Sequence, residues 1–66
     1  MTRKDYVAIA AAINKRVDGV NYGSAREDAA ALDALQRASI DIAATMANDN
    51  PAFDRSRFLK ACGVQS

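Results

Sequence analysis

Apolar positions recur at intervals of three and four along two long stretches of the chain, the period of an α-helix seated on a core. In the first stretch Tyr6, Ile9, Ala10, Ile13 and Val17 fall in one arc at about 100° per residue, with Lys4, Ala8 and Lys15 opposite. Thr2, followed three residues on by Asp5, supplies an N-cap and a first-turn carboxylate, and Lys15-Arg16 suit the negative end of the helix. A helix over 3–17 is predicted, stopped by Asp18-Gly19 with the glycine in a left-handed conformation.

A loop over 18–23 follows, Gly-flanked, with Val20 and Tyr22 between. Ser24-Ala25-Arg26-Glu27 then has the spacing of a capping box and opens a second helix over 25–48, which contains no Gly or Pro. Leu32, Leu35, Ser39, Ile42 and Met46 form a seam suited to packing on another helix. Ile40 lies off that seam, about 80° from Leu32 and beside Ala29, Gln36, Ala43 and Ala47, a second apolar strip that needs a cover. Asp33, Arg37 and Asp41, spaced by four, predict an exposed charge ladder on the remaining side.

Asn48-Asp49-Asn50-Pro51 breaks the second helix. Asp54 then reads as an N-cap, with Phe53 and Phe58 at the two positions of a hydrophobic staple, so a short helix spans 55–62. Asn50 as cap with Pro51 as the first helical residue is the alternative, one turn longer. Gly63 stops either version, with Val64 placed to fold back on Leu59. The chain is therefore predicted to be all-α: two main antiparallel helices and a short C-terminal one in a single domain over 1–66.

Composition changes what this pattern means. Half of the 66 residues are apolar, but 15 of those 33 are Ala, so the larger side chains make a thin core. One Cys excludes an internal disulfide, and with no His it cannot build a four-ligand structural zinc site. Unusually efficient helix packing or self-association is left to stabilise so small a chain, and of the two a homodimer is predicted, with Ala34, Ala38, Ile40 and Ala47 of the second helix at its interface. Nine Lys and Arg against eight Asp and Glu give a net charge of +1, with signs alternating rather than in blocks, which lowers the expectation of nucleic acid as partner. No apolar run reaches the roughly 20 residues that span a bilayer, and the start lacks a signal segment. A soluble cytoplasmic location without membrane contact is expected.

The two ends of the chain carry a resemblance. Met1-Thr2-Arg3-Lys4-Asp5-Tyr6 with Ile9-Ala10, and above all Asp49-Asn50-Pro51-x-Phe53-Asp54-Arg55-x-Arg57-Phe58-Leu59-x-Ala61-Cys62-Gly63, resemble small uncharacterised accessory proteins of bacteriophages and prophages. That resemblance implies a helical fold and a mobile-element origin, and it supplies neither a reaction nor site residues.

Candidate chemistry is sparse. No His is available for proton transfer near neutral pH, and Cys62 stands at a helix C-terminus, where the dipole disfavours a thiolate, so it reads as a packing residue. Glu27-Asp28 and Asp33 with Asp41 read as first-turn acids and solvated charge rather than metal ligands, and Gly19 and Gly23 lack the lysine of a phosphate loop. No cofactor is predicted. Tyr22 in the Gly-flanked loop, with Arg55, Arg57 and Lys60 of the third helix, forms the candidate partner-binding set. The expected function is non-enzymatic: binding and inhibition of a host protein, for example as an anti-CRISPR or other anti-defence inhibitor, the inhibitory role being implied by the resemblance. The alternatives are a small DNA-binding regulator, read by Arg55, Arg57 and Lys60, and a virion or assembly component.

Overall fold

A computed structural model describes residues 2–64. Among the described residues the fold is built of three α-helices: α1 (Arg3–Asp18), α2 (Ala25–Asp49) and α3 (Arg55–Cys62). At 1.5 Å per residue the 25 residues of α2 extend about 37 Å, so α2 alone sets the 39 Å length of the molecule.

The helix ends show how the sequence writes these boundaries. Thr2 and Asp5 form a complete capping box: the Thr2 N–H donates to Asp5 Oδ2 at 2.9 Å and the Asp5 N–H to Thr2 Oγ1 at 3.4 Å. At Ser24 only half of the predicted box forms, since Ser24 Oγ accepts from the Glu27 N–H at 3.4 Å. The nearby carboxylate that reaches back is Asp28, whose Oδ1 accepts from the Tyr22 N–H at 2.7 Å and ties the loop to the first turn of α2.

Gly19 corrects the predicted stop of α1. It is right-handed, at φ −83° and ψ −3°, and its N–H donates to Lys15 O in an ordinary last helical turn. The left-handed residue of this loop is Gly23, at φ +80°, where only glycine reverses the chain without strain.

The start of α3 is also decided. Asp54 Oδ1 accepts from the Arg57 N–H at 3.0 Å, while Asn50 closes a tight turn, its Oδ1 accepting from the Ala52 N–H. Pro51 and Ala52 thus belong to the turn and α3 begins at Arg55. Phe53 and Phe58 close the staple with ring centroids 5.5 Å apart. At the other end Gly63, at φ +80°, donates to Lys60 O, and Val64 donates to Leu59 O, the paired bonds of a Schellman stop.

α1 and α2 run antiparallel, and α3 lies alongside α1 in the same direction, with Phe53 against Tyr6 at its start and Cys62 beside Asn14 at its end. The core holds Ala10, Ala43, Met46, Phe58 and Cys62, bordered by Tyr6, Ile9, Ile13, Phe53, Leu59 and Val64. Three elements converge closely there because the central residues, Ala10, Ser39, Ala43 and Cys62, are all small. The Ser39 hydroxyl is satisfied by donating to Leu35 O at 2.7 Å.

This rotates α2 relative to the predicted seam. Ala43, expected on the second strip, is buried, while Leu32 and Ile42 of the seam are 39% and 36% exposed. The reason is that α3 packs only on the C-terminal half of α2, so the burial stripe follows Ser39, Ala43 and Met46. Ile40 remains 46% exposed, without a cover from its own chain. Of the predicted charge ladder, only Arg37 to Asp33 pairs among the described residues, at 2.9 Å and largely exposed.

Candidate functional site

A groove of about 380 Å³ lies between α1 and α3, at the end where α1 begins. Tyr6, Val7 and Ala10 form one wall, and Phe53, Phe58 and Ala61 the other. Arg3, Asn50, Asp54 and Arg57 stand around it. The staple builds this site: by fixing Phe53 over the first turn of α3, it stacks Phe53 against Tyr6 at a centroid distance of 4.6 Å, tilted by 58°. Tyr6 and Phe53 are half-buried and Phe58 is buried, so the aromatic wall of the groove is continuous with the core.

Val7 is the telling residue here. It sits one step round α1 from Tyr6 and remains 61% exposed, so the groove presents a branched aliphatic side chain to water beside its aromatic wall. Among the described residues neither Arg3 nor Arg57 is held in a salt bridge. The Asp54 carboxylate beside them is engaged in capping α3.

The predicted partner-binding residues are all exposed, but they do not converge. Arg57 lies on the groove, whereas Arg55, two residues away, points about 160° round α3. Lys60 stands outside the groove, and Tyr22, 65% exposed, is in the loop beyond the far end of α1.

The predicted dimer residues divide in the same way. Ala34 and Ala38 are exposed on one flank of α2, Ile40 is exposed on the opposite flank, about 160° from Ala38, and Ala47 beside it is half-buried. They make two surfaces instead of one. Sequence reasoning missed the groove itself, because Val7 falls outside the apolar arc of α1 and Ala61 carries no signal.

Among the described residues the Asp5 carboxyl and the Cys62 thiol have perturbed acidity. Burial raises the Cys62 thiol above its ordinary range, opposed by the Ser39 hydroxyl beside it, so this sulfur is enclosed and held neutral. The Thr2 N–H lowers the Asp5 carboxyl, partly offset by desolvation and aided by the Thr2 hydroxyl. Among the described residues no group of three or more His, Cys, Asp or Glu side chains is placed to hold a metal, and no helix is long and apolar enough to cross a membrane.

Comparison with protein-family models, with curated proteins and with solved structures gives no match to this chain. Function therefore has to be read from the groove and its surroundings.

Proposed function

We propose that this chain is a non-enzymatic binding module, an accessory protein of the phage type its ends resemble, that acts in the host cytoplasm by seating an apolar segment of a host protein in the α1–α3 groove. The exposed Val7 beside the Tyr6–Phe53–Phe58 wall carries this reading, since apolar surface left open in a concave site favours a partner that removes it from water. Arg3 and Arg57 add orientation: a guanidinium at the edge of an apolar groove fixes the register of a bound segment by pairing with its carboxylates or carbonyls. The buried, protonated Cys62 and the lack of any His fit binding better than catalysis. An anti-defence inhibitor is one form of such a protein, acting by occlusion.

The test is affinity capture from host lysate with the wild-type chain and with Val7→Glu, whose position on an exposed helix face leaves the fold intact. The expected result is a host protein retained by the wild type and lost with the variant. Capture of nothing, or equal capture by both, would sink the proposal.

A further inference from the structure

Folding sorts the charges that alternate along the chain. α1 and α3 carry Arg3, Lys4, Lys15, Arg16, Arg55, Arg57 and Lys60 against Asp5 and Asp18. α2 carries Glu27, Asp28, Asp33, Asp41 and Asp49 against Arg26 and Arg37. A net charge of +1 thus conceals a basic pair of helices and an acidic one.

The acidic character of α2 has a direction. At about 100° per residue, Ala34, Ala38 and Ile42 share one exposed face, Glu27 and Asp49 extend it towards either end, and Asp41 borders it. Arg37 lies about 40° beyond Asp41 on the side away from Ala38 and is paired with Asp33. This face is shallow and mostly Ala, interrupted by the Thr45 hydroxyl, with carboxylates at its two ends and along its Asp41 border, whereas the groove is concave and apolar, with Arg3 and Arg57 beside it and the Asp54 carboxylate already engaged in capping α3. Size, polarity and charge are complementary between two surfaces of the same chain that do not meet within it.

We infer that the α1–α3 groove takes the Ala34–Ala38–Ile42 face of α2 from a second copy of this chain, a head-to-tail contact in which one surface type meets the other. The small Ala side chains let the incoming helix approach the Tyr6–Phe53 wall closely, and Glu27 or Asp41 pairs with Arg3 and Arg57. Such a contact closes as a two-fold pair with two groove–helix joints, or continues as a chain, and a host segment entering the groove competes with it. The inference rests on the groove being a docking surface, but not on the host partner.

Sedimentation of the wild type against concentration and salt tests this, together with Val7→Glu and Ala38→Arg, both exposed helix positions. The wild type is expected to associate, at least about tenfold more weakly in high salt, and each variant to be monomeric. An equimolar mixture of the two variants is expected to recover a 1:1 complex, because the α2 face of the first and the groove of the second are both intact. A wild type that stays monomeric up to about 1 mM would overturn the inference. So would a Val7→Glu variant that associates as well as the wild type, the outcome of a symmetric α2–α2 dimer, or a mixture that stays monomeric. A monomer that nevertheless captures a host protein through Val7 removes the self-contact and leaves the host reading standing.

Discussion

Asn14, in the C-terminal half of α1, donates its side-chain amide to the backbone carbonyl of Cys62 at 3.2 Å, bridging 48 residues of sequence. It satisfies a carbonyl that the end of α3 leaves without a helical partner and fastens that end to α1. Asn14→Ala is expected to cost about 1–3 kcal/mol, the range for leaving a buried polar group unsatisfied. Urea denaturation measures this, and an unchanged midpoint would mean that water replaces the amide freely.

Gly63 is constrained by the same contact. Its φ of +80° disfavours any side chain, and an added Cβ would meet Asn14 Nδ2 at 2.6 Å. Gly63→Ala should therefore exceed the roughly 1–2 kcal/mol left-handed penalty. In a double-mutant cycle with Asn14→Ala the costs should fall short of additive, because shortening Asn14 relieves the clash. Strict additivity would show that the amide swings aside unaided.

Phe58 is 4% exposed and is shared by the core, the staple and the groove wall. Phe58→Ala is expected to cost about 3–5 kcal/mol, comparable with all the stability a core of this size supplies. The circular-dichroism signal of the helices at 25 °C reports it, and retention of a wild-type melting curve would contradict the packing described.

Cys62 has no exposed surface, and burial holds its thiol above the ordinary range. A raised folded pKa favours the neutral thiol, so its contribution is complete below the unfolded thiol pKa and is lost as pH rises through the folded one. Alkylation by a maleimide under native conditions should proceed only through opening of α3 and accelerate sharply in urea. Labelling as fast as a free thiol in native buffer would refute that enclosure.

Asp5 runs the other way. Its carboxyl is lowered by the Thr2 N–H, so the folded state releases the proton more readily than the unfolded chain does. The stabilisation is present above the ordinary carboxylate range and disappears as pH falls through the folded value. The difference in melting temperature between wild type and Asp5→Asn should shrink between about pH 6 and about pH 2. A constant difference would locate the effect of the substitution elsewhere.

Local chemistry made most of the fold legible. Asp54, Phe53 with Phe58, and Gly63 with Val64 each act on neighbours within six residues, and all three took the form that their spacing predicts. What depends on how helices meet was harder to read. The turn of α2 that buries Ala43 and exposes Ile42 follows from α3 packing on half of α2, which no periodicity within α2 encodes. The groove has the same origin: Val7, Phe53 and Ala61 are unremarkable on their own helices and become a site only through the parallel placement of α1 and α3.

Every buried residue of α2 lies at Ser39 or later, so the stretch from Ala25 to Ala38 is held chiefly by its cap, its own backbone bonds and one side of α1. The molecule is thus a packed anchor with a cantilevered arm, and amide protection should decline along α2 towards Ser24. A partner that grips this arm stiffens it on arrival, which makes the ordering of residues 25–38 a measurable record of whether anything has bound.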